Sequence, residues 1–214
     1  MRRILCYGDS NTWGYVPGSG ERYDENTRWP ALLRKALGPD FDVVEDGING
    51  RTTSFDDPCR EFRNGRRGLG HALLAAMPLD LLIVSLGIND LKYGDAAVSA
   101  RGLKALLYTA VNAAAFSQNA AVFTGAPRIL VLAPPPLGRM LDETQPDSQV
   151  RGQYGESLRF METYRPVCEA LGAELLDTAL CAEVSDVDSV HLTADSHRRL
   201  AEAVTEKVRA MLEN

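Results

Sequence analysis

Ser10 stands just after the apolar run Ile4-Leu5-Cys6-Tyr7 and Gly8-Asp9, and near the other end of the chain comes Asp188-Ser189-Val190-His191. An aliphatic hydroxyl is a poor nucleophile until a base takes its proton, and near neutral pH that base is usually an imidazole. Asp188, three residues before His191, can turn back onto the ring Nδ1, fix the tautomer and leave Nε2 free for Ser10. Acyl transfer also needs donors aimed at the charge that develops on the carbonyl oxygen. Three candidates are the backbone N–H of Ser10, the backbone N–H of Gly50 and the side-chain amide of Asn89 in Gly87-Ile88-Asn89-Asp90. At Gly50 a side chain would obstruct a substrate. Taken alone, Gly50 and Asn89 read as turn residues; alongside Ser10 and His191 they read as an oxyanion hole. The other two histidines carry less. His71 lies at the Gly-rich start of a helix, and His197, beside Arg198 and Arg199, reads as a solvated helix-face or cap histidine.

These residues must be brought together by regular elements. Short apolar runs at residues 4–7, 41–45, 79–86, 128–133 and 174–176 read as strands, and four of them lack alternation, as strands covered on both faces do. Helical patterns fall between them, at 29–37, 70–77, 100–116 and 156–171. A last helix follows Leu192, with Thr193 as its N-cap and Leu200, Val204, Val208 and Leu212 on its buried face. Five repeats of strand and helix predict a three-layer α/β domain over residues 1–214 with a five-stranded parallel sheet in the order 2-1-3-4-5. In such sheets ligands bind beyond the carboxyl ends of the strands. Ser10 follows the first strand, Gly50 the second and Asn89 the third, so blocks remote in sequence converge in space. Residues 11–27 and 134–155 read as long loops, the kind that serve as lids or interfaces.

Composition narrows the function further. The chain has 214 residues, 45% of them apolar and 24% charged, with a net charge of −6. That is enough for one well-buried domain and the wrong sign for a nucleic-acid footprint. The basic cluster Arg60 to Arg67, interleaved with Glu61 and Phe62, reads as a solvated loop or interface rather than a phosphate site. The first residues carry no apolar signal core and no run reaches membrane-spanning length, so the expectation is a cytoplasmic protein with no membrane partner. Cys6, Cys59, Cys168 and Cys181 form no CxxC pair and are expected as free thiols, with no metal and no cofactor. A G-x-S-x-G elbow is absent, as is a Walker-type loop, and Gly65 to Gly70 has the wrong spacing for a dinucleotide fingerprint. Asp9, Trp13, Tyr15, Ile88 and Leu192 flank the candidate groups and are expected to shape a pocket for small aryl or short-chain acyl esters.

The ordered blocks Gly8-Asp9-Ser10, Gly50, Gly87-Ile88-Asn89-Asp90 and Asp188-Ser189-Val190-His191 resemble the four blocks of the SGNH hydrolase superfamily, the GDSL-type esterases. The longer strings from Gly8 to Pro17 and Gly50-Arg51-Thr52-Thr53 resemble its arylesterase/acyltransferase subgroup. The resemblance implies a flavodoxin-like fold, a Ser-His-Asp triad and hydrolysis or transfer of short acyl groups. It also implies homo-oligomers, octamers in some members, with contacts through residues 116–127 and the loop after the fourth strand. Two other readings stand beside an aryl or short-chain esterase: an O-deacetylase of sugars or small molecules, and a non-catalytic binding domain on the same fold.

Overall fold

Strand β1 (Arg2–Gly8) lies at the centre of the architecture, between β2 (Phe41–Gly47) and β3 (Leu81–Ser85), with β4 (Ile129–Ala133) and β5 (Glu174–Asp177) beyond. The computed structural model describes residues 1–117 and 121–212. All neighbouring strands run parallel, in the order 2-1-3-4-5. Side chains alternate across a strand, and here both faces are apolar. Leu5, Tyr7, Leu82, Val84 and Val131 enter one core, while Ile4, Cys6, Leu81, Ile83, Leu130 and Leu132 enter the other. The expected absence of a polar alternation has this cause: helices cover the sheet twice.

Helices α2 (Trp29–Leu37) and α9 (Ala194–Leu212) pack on one face, and α3 (Gly65–Ala76), α4 (Ala96–Val111) and α8 (Phe160–Leu171) on the other. Thr193 caps α9, its Oγ1 accepting the Ser196 N–H at 3.1 Å. Two helices start earlier than their apolar pattern suggests because a side chain caps them. Asn64 accepts the Arg67 N–H ahead of α3, and Asp95 accepts the Val98 N–H ahead of α4. The helix expected over 156–171 is broken into a turn, α7 (Tyr154–Ser157), and α8. Likewise, the pattern over 100–116 ends as α4 followed by the short α5 (Ala113–Ser117). The two long loops are partly ordered as single helical turns: α1 (Ser10–Trp13) opens the first and α6 (Leu141–Thr144) lies in the second.

The loop after α1 is pinned by charge. Glu45 on β2, its side chain 9% exposed, is reached by Arg28 (Nη2 to Oε1, 3.1 Å), Arg22 (3.3 Å) and Arg34 (3.3 Å). Arg22 also donates to the Trp13 carbonyl at 2.7 Å. A buried carboxylate with several guanidinium partners holds its surroundings far more firmly than an exposed pair. The four cysteines are unpaired, and among the described residues no helix is long and apolar enough to cross a membrane.

Candidate functional site

The carboxyl ends of β1, β2 and β3 meet at one rim. Gly8 pairs with Gly47 and with Ser85 across the sheet, and the chain leaves β1 directly into α1. Asp9 caps this turn by accepting the Asn11 N–H at 3.0 Å. Gly47 makes room for it, since a Cβ there would stand 2.2 Å from the Trp13 nitrogen. Ser10 therefore opens a tight helical turn that both neighbouring strands hold in place.

The loop before α9 brings the second half. His191 Nε2 lies 3.0 Å from Ser10 Oγ, and His191 Nδ1 lies 2.8 Å from Asp188 Oδ2. Asp188 Oδ1 accepts the backbone N–H groups of His191 (2.9 Å) and Val190 (3.1 Å). Burial pushes the Asp188 carboxyl up, but the hydrogen bonds from His191 and Val190 outweigh it, and the group ends below its ordinary value. A carboxylate fixed in this way makes Nδ1 the protonated nitrogen and leaves Nε2 as acceptor for the hydroxyl. The Tyr15 ring stacks on the imidazole, centroids 4.1 Å apart.

Asn11, to which the sequence reading gave no role, ties the halves together. Its Oδ1 accepts the Leu192 N–H at 3.0 Å and its Nδ2 donates to the Val190 carbonyl at 3.4 Å, so one amide grips the chain on both sides of His191. Arg51 was missed as well. Its guanidinium donates to the Gly8 carbonyl (2.9 Å), the Asp46 carbonyl (2.6 Å) and Asp46 Oδ1 (2.7 Å), and lies 3.9 Å from the centre of the Tyr7 ring. It welds the ends of β1 and β2 under the Gly50 turn. Both residues lie in the strings that resemble the arylesterase/acyltransferase subgroup, Gly8 to Pro17 and Gly50 to Thr53, but beyond that each shows only as a polar side chain next to a turn.

Gly50 and Asn89 both line the cleft that contains Ser10 and His191. Gly50 adopts φ +80°, a left-handed conformation that other residues rarely take. The Asn89 amide donates one N–H to the Arg51 carbonyl at 3.2 Å, which orients it and leaves its second N–H available. Behind it, Asp90 is fully buried and contacts Thr53 N (2.8 Å), Thr53 Oγ1 (2.7 Å) and Ser99 Oγ (2.7 Å), fastening the Gly50 loop to the Asn89 turn. The cleft measures about 510 Å³, and Tyr15, Ile88, Arg60, Lys92, Gln145 and Asp147 are among its walls. A neighbouring concavity of about 760 Å³ shares Arg60 with it but contains neither Ser10 nor His191.

Four expectations are corrected. Asp9 is buried beneath the nucleophile turn, where burial above all raises its carboxyl to about 6, and it does not line the cleft. Leu192 is 1% exposed and belongs to the core with α9. Trp13 is not among the residues that line the cleft; its ring lies 5.4 Å from the Arg22 guanidinium. His197 is not solvated: it is fully buried, Nδ1 accepts the Trp29 N–H at 3.3 Å, and burial lowers its pKa to about 3. His71 is exposed. Among the described residues no three His, Cys, Asp or Glu side chains cluster as a metal site would require.

A hydroxyl, an imidazole in one tautomer, a buried carboxylate and two flanking donors can together attack a carbonyl carbon and hold the resulting oxyanion. The chain is similar along nearly its full length to solved structures of enzymes with related descriptions. An aryl esterase from M. smegmatis shares 32% identity over 99% of this chain and 100% of that one, with a TM-score of 0.91. A carbohydrate acetylesterase from Sinorhizobium meliloti matches with the same identity, coverage and TM-score. A carbohydrate acetylesterase family member from Sinorhizobium meliloti shares 33% identity over 100% of both chains, TM-score 0.88. Among curated proteins none matches. The GDSL-like lipase/acylhydrolase family model matches residues 6–199, nearly the whole length, and this chain belongs to that family.

Proposed function

We propose that this protein is a serine esterase acting on short acyl esters of small alcohols or phenols. The observation that carries the reading is the unbroken chain Ser10 Oγ, His191, Asp188, with links of 3.0 and 2.8 Å, beside Gly50 and Asn89. Ser10 Oγ bonds to the acyl carbon as His191 Nε2 takes its proton. The Ser10 and Gly50 N–H groups and the Asn89 amide hold the oxyanion. His191 then returns the proton to the departing alcohol oxygen, and water repeats the sequence on the acyl-serine to release the acid. The similarity to an aryl esterase and to acetylesterases supports ester hydrolysis as the reaction class.

Phenyl acetate hydrolysis and labelling by a fluorophosphonate test the proposal. Ser10→Ala and His191→Ala are expected to lose about three or more orders of magnitude in kcat with melting behaviour retained. An unlabelled Ser10, or a Ser10→Ala protein as active as the parent, refutes it. A second reading, O-deacetylation of a carbohydrate, is favoured by the polar wall of Gln145, Asp147, Ser148 and Gln149; acetylated sugars in the same assay separate the two. We infer further that residues 1–214 act as one domain, that alcohols can replace water as acyl acceptor, and that the protein is cytoplasmic and self-associates. The contacts would run through residues 116–127 and the loop after β4. Residues 118–120 of that first segment lie outside the described residues. The exposed Phe116 and Met140 supply apolar surface in both segments, and light scattering of the purified protein tests the assembly.

A further inference from the structure

Lys92, Arg60 and Arg63 gather at the Gly50 and Asn89 end of the cleft. Arg60 Nη1 and Arg63 Nε lie 3.6 and 3.5 Å from the point where a Cβ on Gly50 would sit. Lys92 is half-buried on the 3₁₀ turn Ile88–Lys92 that carries Asn89. Among the described residues no carboxylate comes within 4.0 Å of any of these three cationic groups, and the buried Arg63 Nε has no hydrogen-bond partner. The arginines around β2 and α9 differ in this respect: Arg22, Arg28 and Arg34 share Glu45, Arg51 meets Asp46, and Arg198 and Arg199 meet acids. The acids that face the cluster are otherwise engaged. Asp57 accepts the Cys59 N–H at 2.9 Å, Asp9 caps the Ser10 turn, and Asp188 is held by His191 and Val190. Asp147 also lines the cleft but is exposed, and it lies more than 4.0 Å from each of the three cations.

Lys92 and Arg63 are partly buried and Arg60 is exposed; like charges held this close repel one another, the partly buried ones also lose hydration, and a bound anion relieves both costs. Lys92 reports both effects: burial, then the charge of Arg60 and also of Arg63, draw its ammonium below the ordinary value against the opposing pull of Asp57 and Asp9. In a chain of net charge −6, two cations, Arg60 and Lys92, line the same cleft as the Ser10 hydroxyl. The geometry points to an anion subsite for the substrate's acyl group: this esterase prefers esters whose short acyl chain ends in a carboxylate. The acyl side is favoured because the leaving oxygen must face His191 to be protonated, whereas Arg60 and Lys92 lie by the oxyanion donors. This deepens the esterase reading and rests on it.

The test compares monophenyl glutarate with its neutral methyl ester, following phenol release. The anionic ester is expected to show at least a ten-fold higher kcat/KM, carried mainly by KM and shrinking as salt is raised from about 0.05 to 0.5 M. Lys92→Met and Arg60→Ala are each expected to lower that ratio several-fold, and the double variant to bring it near one. A parental ratio of one, or a preference that survives the double variant, overturns the proposal. A preference for 4-acetoxybenzoate over its methyl ester, without one for the glutarate, overturns the assignment to the acyl side. Glutarate binding by calorimetry separates the two failures. An inert Ser10 leaves binding intact and sensitive to Lys92→Met, whereas a missing subsite leaves no binding although phenyl acetate is still hydrolysed.

Discussion

Tyr15 lies stacked on His191, with the ring planes 27° apart and the centroids at 4.1 Å. The tyrosine is supplied by the loop that Glu45 and its arginines anchor, so a charge cluster on β2 steadies an imidazole on the far side of the cleft. Aromatic contacts of this kind contribute about 0.5–1.5 kcal/mol. Tyr15→Ala should therefore lower kcat about ten-fold by releasing the ring, while Tyr15→Phe should stay within about two-fold of the parent. Steady-state kinetics on phenyl acetate checks this, and equal losses in both variants would point to the hydroxyl instead of the stack.

Asp188 has a narrower task. With three hydrogen bonds to the His191 loop, it fixes both the loop and the tautomer. Asp188→Asn keeps the size but presents an amide to Nδ1, favouring the wrong tautomer, and should cost about four orders of magnitude in kcat, as in other enzymes with this triad. Circular dichroism should show the fold retained.

Asp90 ties stability to pH. Leu86 O, Tyr164 Oη, Ser99 Oγ and Asp90 Oδ2 stand in a row at 3.1, 2.7 and 2.7 Å. Ser99 and Thr53 donate to the Asp90 carboxyl, and Tyr164 donates to the Leu86 carbonyl. Its carboxyl is pushed up to about 7, mainly by burial, against the pull of the Ser99 and Thr53 hydrogen bonds. A raised folded-state value means a contribution fully present below the ordinary carboxylate pKa and lost as pH rises through about 7. Asp90→Asn cannot ionise, so its melting temperature relative to the parent should climb between about pH 4 and pH 8. A constant difference would show that Asp90 is already charged throughout. Asp90→Ala, which strands the donors of Thr53 and Ser99, should cost about 3 kcal/mol near pH 4 and less as pH rises toward 8, because the parent's own contribution fades over that window.

His197 works in the opposite direction. Its folded pKa, lowered to about 3 mainly by burial, lies below its ordinary value of 6.5. The unfolded chain then binds a proton that the native state refuses, so stability is full above 6.5 and falls as pH drops toward 3. His197→Asn can still accept the Trp29 N–H and should flatten that acid limb in a melting series. An unchanged limb would assign the acid loss to other groups.

Much of this was legible before any coordinates. A strand buried on both faces writes itself as an unbroken apolar run, so all five strands and their order could be read. Ser10, Gly50, Asn89, Asp188 and His191 fall together because the parallel topology gathers strand ends at one rim. Helix starts were less visible, since Asn64 and Asp95 lie ahead of the apolar pattern they cap. Turns as short as Ser10–Trp13 fall below any periodicity. Chain adjacency misled at Asp9, Trp13 and Leu192, because successive residues in a turn point in different directions. For His197 the signal was present but overlooked. It shares the face of Leu200, Val204 and Val208, and only its arginine neighbours suggested solvent. Asn11 and Arg51 act through long-range pairings that no local periodicity encodes.

The grip of Asn11 on the backbone either side of His191 joins residues some 180 positions apart. During synthesis the nucleophile is made long before its base. A nascent fragment that stops short of His191 is therefore chemically silent however well its sheet has formed, and hydrolysis begins only when the loop that carries the imidazole docks onto Ser10 and Asn11. Onset of turnover thus doubles as a clock for the arrival of that loop.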